Sequence, residues 1–277
     1  MKSLFTLGRP VDISYPSNAF ILFFAAASFL GFGLASVFGG GSALDSLAFG
    51  FRAFLSVFLA WAIGREIDPD QSLTAALAAV GQVIVIWFID VPSLLFSFWA
   101  LFTFRVLNRT TGLKAGYGDT VLATAISAWV GYQLSWVIPA AAAAIFIADS
   151  FLKEPNRIHL VTGTLLAGEA AYLLVPDPGI WSEFVNYPIK LGLVVGISVA
   201  FLFVIYRSRN VTSVGDETGE PLSARRVQLT QFICLLVAIL FPLWAGAQSF
   251  HQSATLWSIL GASSLVNIVS ALTLALS

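Results

Sequence analysis

Runs of apolar residues about as long as a bilayer is thick constrain this chain more than any other feature. The hydrocarbon core of a bilayer is about 30 Å thick, and a helix crosses it in about 20 residues. Such runs predict an all-α, polytopic membrane protein with about ten transmembrane helices. The ten runs occupy positions 18–38, 45–64, 72–89, 92–107, 118–134, 136–152, 159–175, 188–206, 227–247 and 254–275.

The composition excludes a water-soluble globular domain. Charged residues make up 10% of the chain and hydrophobic residues 58%, whereas a soluble domain is about 25% charged. The net charge of −1 gives no reason to expect a nucleic acid as partner. With two histidines and one cysteine, the chain has too few ligands for paired haems or iron–sulfur clusters. We therefore expect no cofactor, and a lipid bilayer as the surroundings.

The positions of Lys and Arg predict the orientation. If the N-terminus is cytoplasmic, twelve of the fourteen basic residues lie in cytoplasmic segments. The other two are Arg52, within the second run, and Lys190, at the outer start of the eighth. Because cytoplasmic loops carry an excess of positive charge, this alternation predicts ten spans with both termini cytoplasmic, in an inner, cytoplasmic-type membrane. The number of spans is similar to that of small metabolite exporters.

Polar segments divide the chain into three parts without a soluble domain. Residues 1–206 form an eight-helix membrane portion with three polar cytoplasmic turns. Residues 207–226 are rich in turn formers and predict a flexible cytoplasmic loop. Residues 227–277 form a two-helix membrane tail. The outer connections are short, and the longest of them, 176–187, carries aromatic residues typical of a membrane interface.

Arg52 and Glu169 are the ionisable residues that the predicted spans place deepest in the bilayer. Arg52 is twelve residues from the inner end of its run, and Glu169 is ten residues from the inner end of its own. These spacings correspond to depths of roughly 18 and 15 Å. Since an unpaired charge near the midplane costs at least about 2.5–3.5 kcal/mol, we predict that the two side chains pair or share a polar cavity. That site either binds a substrate or a coupling ion, or it clamps the second and seventh spans together.

The three cytoplasmic turns have a similar mixture of acidic, basic and turn-forming residues. Two interpretations stay open: a cytoplasmic-face polar site, or ordinary helix caps and positive-inside charges. In the first interpretation, carboxylates that converge on one pocket hold Mg²⁺, and the basic groups grip a phosphate. The residues concerned are Arg65, Asp68, Asp70, Arg105, Arg109, Asp119, Asp149 and Arg157.

Other polar and small residues in the runs predict helix packing. The amide side chains of Gln82, Gln133, Gln228, Gln231 and Asn267 are expected to bond neighbouring helices. Gly192 and Gly196 form a GxxxG pattern, which is typical of close helix packing, either within the chain or against a partner. His159, at the start of a span, is expected to be solvated at the membrane interface.

Three classes of function are compatible with these patterns. The first is a transporter or exporter of a small or amphipathic solute that uses Arg52 and Glu169. The second is a structural or accessory subunit, with a membrane-protein partner or a second copy of the chain. The third is a cytoplasm-facing enzyme that acts on a lipid phosphate or isoprenoid, and only this class would use Mg²⁺.

Overall fold

A computed structural model describes residues 4–9, 11–175 and 188–276. The described residues form α-helices and one isolated β-bridge, between Val214 and Pro221. A short 3-10 turn, Ser208–Asn210, follows the eighth helix. The helices within these residues are α1 Pro16–Phe38, α2 Ala43–Ile67, α3 Ser72–Phe88, α4 Leu94–Asn108, α5 Tyr117–Leu134, α6 Val137–Phe151, α7 Ile158–Leu174, α8 Pro188–Arg207, α9 Ala224–Ala245, α10 Ala247–Gln252 and α11 Ala254–Leu276.

The length and hydropathy of these helices are those of a helical membrane protein. Five stretches are long and apolar enough to cross a bilayer: α1, α2, the stretch Leu191–Asn210 that includes most of α8, α9 and α11. Helices α3, α4, α6 and α7 are apolar but shorter. Every described helix except the six-residue α10 lies at one of the ten predicted apolar runs. The positions of the helices are therefore confirmed, while the number of crossings and the side of the termini stay predictions.

Helix α2 occupies a central position because most of its length is covered by other helices. It packs against α1, α3, α4 and α11. Gly50 permits the closest of these approaches, since a Cβ atom there would lie 2.6 Å from the carbonyl oxygen of Phe29 on α1. The middle of the fold contains fully buried aromatic side chains, such as Trp99, Phe146 and Phe241.

Most of the predicted amide side chains join the helices, whereas Gln133 is exposed on α5. The Gln82 amide donates to the Ser56 hydroxyl at 2.8 Å and links α3 to α2. The Gln231 amide donates to the Ile67 carbonyl at 2.7 Å and links α9 to the end of α2. Gln228 donates to the carbonyl of Ile205 on α8 at 2.8 Å. Each bond satisfies a polar group that would otherwise be costly to bury.

The GxxxG pattern of α8 does not bring helices of this chain together within the described residues, and packing against a partner stays a prediction. A Cβ atom at Gly192 or Gly196 would meet no described atom within 4 Å. Neighbouring side chains on α8, such as Leu193 and Val195, are also exposed. This part of α8 therefore presents small residues outward, and they do not bring another described helix close.

One end of the helix bundle carries most of the charged side chains, and we call it the charged end. Here α1 and α3 begin, α2 and α4 end, and the segment 208–223 crosses the surface. The Asp70 carboxylate accepts backbone N–H bonds from Thr212 and Ser213 of that segment. The Asp216 N–H donates to the carbonyl of Thr110. The segment thus contacts two of the predicted polar turns, and its mobility stays a prediction. The predicted outer connection 176–187 lies outside the described residues.

Candidate functional site

The fold does not bring Arg52 and Glu169 together. Arg52 is exposed on α2, and Glu169 is half-buried on α7. Within the described residues neither side chain takes part in an ion pair. Helix α7 packs mainly against α6 and α5, whereas α2 packs against α1, α3, α4 and α11. The predicted pair is therefore not formed, because the two residues lie on helices that pack mainly against different neighbours.

A buried glutamate, Glu66, organises the charged end around the last turn of α2. Its side chain is fully buried and accepts from the guanidinium groups of Arg105 at 2.8 Å and Arg9 at 3.1 Å. The Thr110 hydroxyl donates to its other oxygen at 2.6 Å. Arg9 also pairs with Asp216. Glu66 thereby ties the N-terminal segment, α4 and the segment 208–223 to α2.

A cavity of about 530 Å³ opens beside this cluster, and we call it the arginine cavity. Three guanidinium groups, those of Arg9, Arg65 and Arg105, line it. Arg9 and Arg105 are neutralised by Glu66 and Asp216, as described above. Arg65 instead donates to the Asn18 side-chain oxygen at 3.2 Å. Among the described residues, no carboxylate lies within ion-pair distance of Arg65.

The walls of the arginine cavity change from charged to apolar with depth along the helices. Phe58 precedes Arg65 by seven residues on α2, a rise of about 10 Å. Leu101 precedes Arg105 by four residues on α4, a rise of about 6 Å. Both side chains line the cavity, together with Trp61, whose ring lies 5.5 Å from the Arg65 guanidinium carbon. The cavity therefore has cationic walls inside its opening and an apolar, aromatic floor.

The rim of the arginine cavity is acidic and open to solvent. Its carboxylates belong to Asp12, Asp216 and Glu217, which are exposed. The three arginines behind them are half-buried. An anionic group inside the cavity would therefore meet the guanidinium groups in surroundings drier than the rim, where electrostatic attraction is stronger.

A second buried carboxylate, Asp149 on α6, is bonded by three basic side chains. Arg109 donates at 2.7 Å, Arg226 at 2.5 Å and the His159 Nδ1 at 2.8 Å. The Asn156 amide nitrogen lies 3.1 Å from the His159 Nε2. Because the Asp149 carboxylate only accepts, the His159 Nδ1 carries the proton of the bond between them. This cluster joins α6, α7, α9 and the turn after α4, and it leaves no oxygen of Asp149 free for a ligand.

His159 is consequently not the solvated residue that its position at a helix start predicts. Its ring is buried and lies edge-on to Phe146, with 4.8 Å between the ring centroids. The Thr120 hydroxyl lies 3.0 Å from its Nε2. The first turn of α7 packs against α5 and α6, and this packing withdraws the imidazole from water.

Asp119 has a structural role at the start of α5. Its Oδ2 accepts from the Thr6 backbone N–H at 2.6 Å and from the Thr6 hydroxyl at 2.9 Å. It also accepts from the Gly116 N–H at 3.0 Å, which is a helix-capping bond. Asp119 thus fastens the N-terminal segment to the bundle and is not among the residues that line the arginine cavity.

Asp68 and Asp70 line another cavity at the charged end, with a volume of about 440 Å³, which we call the Asp68 cavity. The Asp68 side chain accepts bonds of 2.8 Å from Thr74, Ser263 and Asn267. Burial raises the pKa of Asp68, and the nearby Asp70 charge raises it further against the lowering effect of the three bonds. Burial also raises the pKa of Asp70, but bonds from Ser213 and Thr212 outweigh this and leave that pKa below its usual range.

The carboxylates of the three polar turns do not converge on one pocket. Asp149 and Asp119 are separately bonded in the interior, and Asp68 and Asp70 share a cavity with neither of them. Within the described residues, no group of three His, Cys, Asp or Glu side chains is arranged to hold a metal ion. Arg157 is exposed at the start of α7. The charged end thus contains several separate clusters, whereas the first interpretation of the turns requires one.

Sequence reasoning missed Glu66, Arg9 and Arg226, which hold these clusters together. Helical periodicity contains a signal for two of them. Glu66 lies three residues after Ile63, a buried position, and so shares its face of α2. Arg226 precedes the buried Thr230 by four residues on α9. A charge in phase with buried positions is expected to face inward, whereas Arg9 precedes the first helix and has no such phase.

Comparisons of the chain with protein-family models, with curated proteins and with solved structures gave no match. Functional inference therefore rests on the residues and their geometry.

Proposed function

We propose that this membrane protein is a transporter of a small amphipathic anion, which it binds in the arginine cavity. The observation that carries the proposal is the Arg65 guanidinium, which lines the cavity without a carboxylate partner among the described residues. A guanidinium group binds phosphate and carboxylate through charge-assisted hydrogen bonds. The site differs from the Arg52 and Glu169 site that the sequence predicted.

The division of the cavity favours an amphiphile over a fully polar anion. The head group would bond Arg65 just inside the acidic rim, and the hydrocarbon part would lie against Phe58 and Leu101 deeper in the bundle. Aromatic and aliphatic walls with few polar groups are typical of small-molecule sites. Transport is favoured over catalysis because the buried carboxylates are bonded in separate clusters. The ten predicted spans supply the membrane-embedded scaffold, in an orientation with both termini cytoplasmic.

Binding of a defined anionic amphiphile tests this proposal. The purified full chain would be titrated with lysophosphatidic acid, and the bound lipid counted by native mass spectrometry in a mild detergent. Arg65→Gln removes the charge while keeping a donor for Asn18. Since a hydrogen bond to a charged group contributes about 1.5–3 kcal/mol, we expect the dissociation constant to rise about 10- to 100-fold.

Arg157→Gln is the matched control, because Arg157 is an exposed arginine at the same end of the bundle. This variant should bind lysophosphatidic acid with the affinity of the wild type. Neutral lysophosphatidylcholine should compete only weakly for the site in both proteins. Equal affinity of wild type and Arg65→Gln would contradict the proposed site. Movement of a fluorescent analogue across reconstituted vesicles then distinguishes a transporter from a binding subunit.

A further inference from the structure

The Asp68 carboxyl group lies in surroundings that do not suit a charge. Asp68 caps the end of α2, and only 5% of its surface is exposed. Within the described residues no basic side chain lies within ion-pair distance of it. A buried carboxylate without a counter-ion is costly and is avoided most simply by taking up a proton.

The two oxygens of Asp68 have different surroundings. Oδ2 accepts all three side-chain bonds, from Thr74 on α3 and from Ser263 and Asn267 on α11. No described group donates a hydrogen bond to Oδ1, and Asp68 lines the wall of the Asp68 cavity. A cavity with polar walls admits water. Oδ1 is therefore the oxygen on which a proton can be exchanged with water.

The charged groups around Asp68 leave its carboxyl without a counter-ion. Helices α3 and α11, which supply its three donors, contain no charged residue. On α2, Glu66 is paired with Arg105, and Arg65 donates to Asn18 beside the arginine cavity. The charged or titratable groups that line the Asp68 cavity together with Asp68 are Asp70, Tyr206, Arg207 and Arg209.

Each of these groups has a contact other than Asp68. Asp70 accepts backbone bonds from the segment 208–223. Arg207 donates to the Asn267 carbonyl at 2.9 Å, and the Arg209 guanidinium lies 4.5 Å from the Tyr206 ring centroid.

We infer that Asp68 is a proton-binding site, which takes up its proton at Oδ1 from the water of the Asp68 cavity. Binding a proton removes the charge and leaves the three bonds to Oδ2 in place. Release of the proton leaves a carboxylate at the point where α2, α3 and α11 meet. Intramembrane and interfacial carboxyls of this kind serve as proton relays in transporters. The inference therefore deepens the proposed transport function. Proton binding by Asp68 does not itself require that the protein is a transporter.

Infrared spectroscopy across a pH series tests the inference on the full chain in lipid nanodiscs. The difference between wild type and Asp68→Asn isolates the C=O stretch of a protonated Asp68. We expect this band to persist above about pH 3.9, the ordinary pKa of aspartate, and to be lost in one titration step as the pH rises. A difference spectrum without a protonated carboxyl above that range would overturn the inference.

Asp70→Asn is the matched control, because Asp70 lies two residues away in the same cavity. This variant should keep the Asp68 band but titrate it at lower pH, because the Asp70 charge no longer raises the pKa of Asp68. Its thermal stability provides a second readout with opposite sign. Because the pKa of Asp68 is raised by folding, the wild type should lose stability relative to Asp68→Asn as pH rises through the folded pKa. Because the pKa of Asp70 is lowered, the wild type should lose stability relative to Asp70→Asn as the pH falls below the usual range of aspartate.

Ser263→Ala keeps the experiment decisive if Asp68→Asn does not fold. Removal of this hydroxyl takes away a bond that favours the charged carboxylate, so the band should titrate at higher pH. An unchanged midpoint would contradict the inference. A midpoint that moves with Na⁺ concentration at constant ionic strength would assign the site to a metal ion and overturn the proton as its ligand. Lipid binding at the arginine cavity is measured separately, so failure of either proposal is recognised independently.

Discussion

At the scale of single residues, the charged end is organised by carboxylates that are buried and bonded. Glu66 and Asp149 each accept from two arginines, and both side chains are fully buried. A buried ion pair is retained only when its geometry and its hydrogen bonds offset the loss of hydration. Removing one partner is costly, because the other charge stays behind without compensation.

Asp149→Asn should therefore destabilise the fold strongly. The substitution keeps the volume of the side chain but leaves Arg109 and Arg226 without a countercharge, and we expect a loss of about 3–5 kcal/mol. Denaturant unfolding in detergent measures the change. Glu154→Gln is the control, because its ion pair with Lys114 is long, at 4.0 Å, and exposed. Exposed pairs contribute about 0–1 kcal/mol, so a similar loss in both variants would contradict a special role for Asp149.

At the scale of helices, two kinds of contact hold the bundle together: close backbone approach and amide bonds between helices. The amide bonds followed from the sequence, since Gln82 and Gln231 had no other way to satisfy their polar groups in an apolar run. The glycine contacts did not follow. The GxxxG pattern of α8 faces away from the other described helices, whereas Gly50 packs directly on α1. A glycine pattern indicates where a helix can be approached closely, but it does not identify the helix that approaches.

Gly50→Ala should push α1 and α2 apart. The added methyl group would lie 2.6 Å from the Phe29 carbonyl oxygen, and overpacking of this kind costs about 1–3 kcal/mol. Gly196→Ala should be neutral or slightly stabilising, because it meets no described atom and alanine is favoured over glycine in a helix by about 1 kcal/mol. Thermal unfolding of both variants checks the difference. Equal effects would indicate that α1 and α2 are not in the close contact described.

At the scale of the whole molecule, the positive-inside pattern predicts how the helices cross the bilayer. The arginine cavity and the Asp68 cavity are both at the charged end, where most of the Lys and Arg side chains lie. If this end is cytoplasmic, both proposed sites face the same compartment. A proton and an amphipathic anion would then bind from the same side.

Cysteine labelling tests this orientation. The native Cys234 is fully buried, so single cysteines can be added without removing it. Lys114→Cys and Asn210→Cys should react with a membrane-impermeant maleimide only in inside-out vesicles, and Asp45→Cys only in right-side-out vesicles. Labelling of Asp45→Cys and Lys114→Cys from the same side would contradict three crossings between them and hence the count of ten.

The sequence alone determined the class of fold and the places of the helices, because apolar length is a local property that a bilayer selects directly. It also located the candidate polar turns at one end of the bundle. Only the tertiary structure decided which charges meet. Arg52 and Glu169 have matching predicted depths but form no ion pair among the described residues, whereas Glu66 and Arg9 are far apart in the chain and in contact in the fold. Pairing depends on how each helix is rotated and on which neighbour it packs against, and these follow from the packing of all the helices together.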